Sequence, residues 1–244
     1  MNTSILILGA KSSIGLEIAK KYAKEGFSLF LAGREIYSLN SFAEELKTEF
    51  NTSIKLIEFN IENFDSHKEF YESLNIKLDG VILVAGYMPN QKESQVTFSE
   101  SLRTINVNFS GPVSILNIVA SDFEKRKNGF IVAISSVAGD RGRKTNYMYG
   151  SSKAGLSTYL SGLRNRLFSS NVSVLTVKPG FVLTKMTSSM NLPPLLSAHA
   201  KDVAIDIYKA QQNKSNILYT KYVWKYIMFI IKVIPEFIFK RLSI

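Results

Sequence analysis

Cysteine is absent from the 244 residues, which removes disulfide frameworks, thiolate nucleophiles and cysteine-ligated metals. Histidine is scarce: His67 and His199 stand far apart without carboxylates at ligand spacing, so both read as ordinary surface or helix-flank residues and no metal is expected. Six prolines and 14 glycines exclude a collagen-like or disordered chain, and 45% hydrophobic residues can fill a sizeable core. Long apolar runs are missing too. A spanning helix needs about 18 or more consecutive apolar residues. The best stretch, residues 222–234, is shorter and carries Lys225 and Lys232. The N-terminal run at residues 5–8 is too short for a secretory core and lacks a basic lead-in, so the chain reads as cytoplasmic. Acidic residues are in deficit, 20 against 30 Lys and Arg, and the resulting +10 points to an anionic partner: a nucleotide, a nucleic acid or a membrane surface.

What is present is an alternation. Short apolar runs at residues 5–8, 28–32, 54–59, 81–84, 130–134 and 172–177 read as strands buried on both faces. Between them, residues 14–25, 35–49, 102–123 and 149–168 keep apolar positions at i, i+3 and i+4, with breaks at Gly26, Asn51, Gly129 and Asn171. The implied fold class is α/β, a Rossmann-type doubly wound parallel sheet with helices on both faces and ligands at the carboxyl ends of the strands. One domain is expected over residues 1–220, followed by a basic, aromatic helical segment at 221–244.

The first strand runs into Gly9-Ala10-Lys11-Ser12-Ser13-Ile14-Gly15 and then a helix, a context in which backbone N–H groups and a helix N-terminus face a pyrophosphate. Gly9 suits the tight turn and Gly15 close packing. After the second strand comes Ala32-Gly33-Arg34, where an acid would hold an adenosine ribose 2′-hydroxyl. Arg34 and Lys11 instead suit a 2′-phosphate, so NADP(H) is favoured, with NAD(H) the alternative should Glu35 turn to the ribose.

Tyr149 and Lys153 form a Y-x-x-x-K pair, Ser136 precedes Tyr149 by 13 residues at a strand end, and Asn108 lies in Asn108-Phe109-Ser110-Gly111. Together with the glycine turn, these residues resemble the active site of the short-chain dehydrogenase/reductase family, and the resemblance spans the chain. Residues four apart share a helix face, so Lys153 sits behind Tyr149 and its charge favours phenolate. A tyrosine otherwise titrates near ~10. The resemblance implies a catalytic set of Ser136, Tyr149, Lys153 and Asn108, with Asn108 holding a water that links Lys153 to solvent. It also implies cofactor contacts from Gly9, Lys11, Ser12, Ser13, Ile14, Gly15, Arg34, Asn60, Ile61, Ala85, Gly86, Tyr149, Lys153, Pro179, Gly180, Val182 and Thr184, the last at the carboxamide. The chain departs from the family pattern at Ser13 for glycine, at Leu83-Val84 for Asn-Asn, and at Asn60 for the usual Asp beside adenine.

A narrower resemblance runs through residues 83–87, 138–150 and 177–182, to the decaprenylphosphoryl-2-keto-ribose reductases. It implies reduction of a lipid-phosphate-linked keto sugar in cell-surface polysaccharide synthesis, with an oxidase partner making the ketone. Arg141, Arg143 and Tyr147 are then candidate substrate residues, the arginines for the phosphate. They equally suit a solvated loop or subunit contact, and Arg141 a pairing with Asp140. In the tail, six aromatics from Tyr222 to Phe239 interleave with five basic residues against Glu236 alone. That pattern suits peripheral contact at the cytoplasmic membrane face, a terminal helix packed on the sheet, or a dimer contact. No nucleic acid is expected. Family habit implies a homo-dimer or tetramer. A soluble reductase for another ketone and a non-catalytic dinucleotide sensor remain the alternatives, and residues 185–200, with Met186, Met190, Pro193 and Pro194, read as a substrate lid.

Overall fold

A computed structural model describes residues 3–188 and 191–242; Met190 of the expected lid lies outside them. In chain order the elements are β1 (Ser4–Leu8), α1 (Ser13–Lys24), β2 (Ser28–Gly33), α2 (Asn40–Phe50), β3 (Ile54–Glu58), α3 (His67–Ser73), β4 (Gly80–Leu83), α4 (Gln91–Ser94), α5 (Phe98–Ile105), α6 (Gly111–Arg126) and β5 (Gly129–Ile134). There follow α7 (Tyr147–Leu167), β6 (Val172–Pro179), β7 (Phe181–Leu183), β8 (Ser197–His199), α8 (Ala200–Gln212), β9 (Ile217–Thr220), α9 (Val223–Val233) and α10 (Glu236–Phe239). Seven parallel strands form the sheet in the order β3-β2-β1-β4-β5-β6-β9, and β7 pairs with β8 apart from it. This is a single-domain doubly wound α/β fold.

Strand alternation divides the core. Ile5, Ile7, Leu29, Leu31 and Val132 meet α1, α2 and α8 on one face, while Leu6, Leu8, Phe30, Val81 and Ile131 meet α3, α6 and α7 on the other. The breaks read from sequence have a common backbone cause. Gly26, Asn51, Gly129 and Asn171 all have positive φ, the conformation that ends a helix or opens the next strand. The second helix starts later than its periodicity implied. Glu35 is left-handed (φ 50°), and a 3₁₀ turn at Ile36–Leu39 precedes α2. Glu58, at the end of β3, holds that turn by accepting from the Glu35 and Ile36 amides at 2.7 and 3.2 Å.

The strand order reverses between β2-β1 and β4, and there the backbone must pass close to its neighbour. Gly9 has φ +86°, and a methyl group on it would stand 2.7 Å from the Ala85 nitrogen. Between α5 and α6 the helix widens into one π turn, Asn106–Ser110.

The C-terminal segment packs on the end of this sheet. Trp224, Met228 and Phe239 are buried, and Trp224 meets Phe181 edge-on at 5.2 Å. Gly180 makes room, since a methyl there would lie 2.0 Å from the indole nitrogen. Among the described residues no helix is long and apolar enough to cross a membrane.

Gly180→Ala must therefore displace the indole. Because Trp224 is the only tryptophan, its emission will shift to the red, and denaturant unfolding will show a loss of about 1–3 kcal/mol.

Candidate active site

The site grows from the carboxyl end of β5. Ser135 and Ser136 follow the strand, and α7 runs back across it. Ser135 Oγ donates to the Lys153 carbonyl at 2.9 Å and meets Ser157 Oγ at 2.7 Å, locking helix to strand. Lys153 Nζ donates to the Ile134 carbonyl at 2.9 Å and stands 5.8 Å from the Tyr149 ring centre. The Ser136 hydroxyl accepts from the Ala138 amide at 3.1 Å and shares a cavity with the Tyr149 phenol, whose charged form it favours.

Asn108 is fully buried in the π turn. Its amide nitrogen donates to the Tyr87 and Thr104 carbonyls at 2.6 and 2.8 Å, and its Oδ1 accepts from the Tyr87 amide at 3.1 Å. The side chain is thus committed to holding the segment after β4. Gly86 lies between the two groups: a methyl on it would be 3.6 Å from Asn108 Oδ1 and 3.7 Å from Lys153 Nζ.

Burial governs the electrostatics. Desolvation pushes the Tyr149 phenol up to about 12, opposed by the Ser136 hydroxyl, and pushes the Lys153 ammonium down to about 7. The charge of Lys153, together with that of a cationic nicotinamide ring, is expected to favour phenolate. In the folded protein the low dielectric acts first, disfavouring both charges, because Lys153 meets a carbonyl and no carboxylate.

Two cavities share Lys11, Ser12, Val84 and Gly86 and so form one groove over the strand ends. The larger, about 450 Å³, is lined by Gly9, Arg34, Ile61 and Ala85, together with Glu35, Glu62, Tyr87 and Arg103. The second, about 340 Å³, holds Ser136, Tyr149 and Lys153 with Ser13, Ile14, Pro179, Gly180, Val182, Thr184 and Arg143. Gly15 and Asn60 do not line it. Gly15 packs against the Gly9 carbonyl, and Asn60 shapes the neighbouring turn by accepting from the Glu62 amide at 3.1 Å. His67 braces the same turn. Fully buried, its Nε2 donates to the Asn60 carbonyl at 3.2 Å while Nδ1 accepts from Ser114 Oγ at 2.9 Å.

This groove fits a dinucleotide. Ser12 caps α1, its Oγ accepting from the Gly15 amide at 3.1 Å, and the first turn of α1 carries no acid to repel a phosphate. At the far end Arg34 is held only loosely, 3.9 Å from Glu62, while Lys11 bridges to the Glu35 carboxylate at 3.1 Å. Arg103, unremarked in the sequence, stacks on Tyr87 at 4.5 Å and lies 3.7 Å from Glu62.

The three candidate substrate residues part company. Arg143 lines the catalytic cavity, with Nη2 on the Met228 sulfur at 3.2 Å and its buried Nε unpartnered. Arg141 turns to the tail, donating to the Ile231, Lys232 and Ile234 carbonyls, pairing with Glu236 at 2.8 Å and covering the Phe239 ring. Tyr147 lies outside the cavity lining and donates to Gln95 at 3.2 Å. Asp140 pairs with Lys178 and accepts from Tyr219 at 2.8 Å, rather than meeting Arg141.

A family model for short chain dehydrogenases matches residues 3–194. The chain belongs to that family. Among relatives of this short-chain dehydrogenase, an uncharacterised oxidoreductase of Mycobacterium tuberculosis is 28% identical over 241 residues, covering 98% of this chain and 96% of that protein. One of Myxococcus xanthus is 30% identical over 191 residues, covering 77% of this chain and 75% of its own. Among solved structures, a short-chain dehydrogenase of Sphingobium yanoikuyae in complex with NADPH superposes with a TM-score of 0.81 at 20% identity, covering 96% of this chain and 97% of that one. A 3-oxoacyl-[acyl-carrier protein] reductase of Brucella melitensis with bound NAD gives 0.78 at 19%, covering 89% and 88%. This chain is an NAD(P)-dependent oxidoreductase.

The lysine shift has a measurable sign. Between about pH 7 and about 10.5 the unfolded chain holds a proton on residue 153 that the folded chain does not. The site's contribution to stability is thus full above that window and lost as pH falls through it. Lys153→Met removes the titration, so its stability relative to wild type will be most favourable near pH 6 and decline as pH rises, measured by chemical denaturation across the range. The stranded Ile134 carbonyl adds only a pH-independent cost.

Proposed function

We propose that the protein reduces a ketone to a secondary alcohol with NADPH, and that the ketone is a 2-keto pentose joined through phosphate to a polyprenyl chain, made by a partner oxidase and used in glycan-precursor synthesis. The observation that carries the reductase reading is the convergence of Ser136, Tyr149 and Lys153 on one cavity, with Lys153 Nζ 5.8 Å from the Tyr149 ring centre. Bound in the groove, the reduced nicotinamide would supply the hydride. Tyr149 Oη gives its proton to the carbonyl oxygen as the C=O π bond is broken, and the phenolate left behind is reprotonated from solvent past Lys153. Ser136 Oγ donates to the same oxygen and orients it. Asn108 fixes the backbone of Tyr87 and keeps the segment around Gly86 beside Lys153. A phenol held near 12 is protonated at neutral pH, the form that reduction consumes.

Support for an anionic substrate comes from Arg143, a cation in the cavity wall whose buried Nε has no partner. The narrower sequence likeness supplies the sugar and the lipid. Ile134, Phe181, Val182 and Met186 give the same cavity an apolar side, which favours as second reading a ketone on a plain acyl chain. Support for NADP(H) comes from the weakly held Arg34, with Lys11 and Arg103 near it.

NADPH oxidation with a short-prenyl phosphoryl 2-keto pentose, set against the sugar lacking lipid phosphate and against a 3-ketoacyl thioester, separates these readings. Preference for the first supports the glycan reading; preference for the thioester transfers the chemistry to acyl chains. Tyr149→Phe will lower kcat by roughly 10²–10⁴-fold while NADPH still binds, and unimpaired turnover would refute the catalytic assignment. Arg34→Ala will raise KM for NADPH by about tenfold and leave that for NADH nearly unchanged.

A further inference from the structure

The tail of this chain has two unlike faces. On α9, Trp224 and Met228 point inward and are buried, with Ile227 and Ile231 packed beside them. Tyr222, Tyr226, Phe229, Ile230 and Val233 recur at the spacing of the opposite face and are each between 56% and 67% exposed. Phe237 and Ile238 continue this apolar surface onto α10 at 63% and 43%. So many large apolar side chains gathered on one surface mark a docking site.

Charge selects the occupant. Residues 221–242 contain five basic side chains and one acid, Glu236, which is taken up by Arg141. Exposed Lys225 and Lys232 lie on one flank of α9, and exposed Lys240 and Arg241 follow α10. A second copy of the chain would bring the same cationic rim against itself, which costs energy. An anionic lipid surface offers the complementary charge and an apolar interior together. The eleven residues of α9 rise about 16 Å, roughly half a hydrocarbon core, so the helix can lie in the interface but not cross it.

We propose that α9 and α10 form an in-plane docking surface for an anionic membrane. The fold holds this surface against the catalytic cavity. The inner face of α9 touches Phe181 through Trp224 and Arg143 through Met228, and both partners line the cavity. Arg141 braces the C-terminal carbonyls of α9, so the helix is fixed to the loop that separates Ser136 from Tyr149. A membrane on the outer face would therefore lie one helix away from the substrate cavity. The proposal goes beyond the reductase reading and does not depend on it.

The test is flotation of the full chain with vesicles of phosphatidylcholine, with and without phosphatidylglycerol. The expected result is recovery with the anionic vesicles, weakening as salt rises, and a loss of at least ~10-fold in partitioning for Lys225→Glu/Lys232→Glu and for Phe229→Ser/Ile230→Ser. Trp224 emission, unshifted in both variants before vesicles are added, verifies that α9 remains docked. Absence of recovery with anionic vesicles, or recovery that the variants leave unchanged, overturns the proposal. So does a wild-type dimer in sedimentation that Phe229→Ser/Ile230→Ser dissolves without any vesicle binding, which would make the face a contact between copies. No turnover enters these readouts, so the membrane proposal and the reductase reading can fail separately.

Discussion

Burying Lys153 obliges the end of β5 and the first turns of α7 to keep a fixed register, because an ammonium out of water needs a partner at a set distance. The Ile134 carbonyl is that partner, and Ser135 secures the arrangement by bonding the lysine's own carbonyl. Once α7 is held there, Tyr149, one turn earlier, comes to the Ser136 hydroxyl without further adjustment. The same low dielectric holds the phenol protonated and brings the lysine near neutrality, so one packing decision sets both the geometry and the proton inventory of the site.

The groove beside it follows from topology. Reversal of strand order at β1 and β4 opens a crevice at their carboxyl ends, and Gly9 lets the chain turn where Ala85 presses closest. Around its outer end Lys11 pairs closely with Glu35, whereas the two arginines are held loosely. Glu62 lies near both Arg34 and Arg103 at distances that leave the guanidinium forks available to a stronger acceptor. His67 contributes from the core, holding the Asn60 carbonyl in place as a neutral donor, and its own affinity for a proton is lowered by burial.

The loop between Ser136 and Tyr149 joins the two halves of the molecule's behaviour. Asp140 ties it to β6 and β9 through Lys178 and Tyr219, Arg141 ties it to the tail, and Arg143 is left facing the cavity. Three charged residues within four positions thus have three separate tasks, set by the partners that β6, β9, the tail and the cavity bring to the loop. Gly180 completes the arrangement by admitting Trp224, so a position that the sequence suggested for cofactor also seats the C-terminal helix.

The sequence by itself determined the α/β alternation, the glycine turn, the helix ends at Asn51 and Asn171, and the pairing of Tyr149 with Lys153. These depend on periodicity, backbone preference and i,i+4 spacing, all of which act over a few residues. Only the tertiary structure decided that Arg141 serves the tail while Arg143 serves the cavity, and that Arg103 joins Arg34 at Glu62. It alone showed that Asn108 holds the Tyr87 backbone and that burial raises the phenol. Those outcomes depend on which side chains the sheet brings together from distant segments and on how far each is removed from water, and neither quantity is encoded in local spacing.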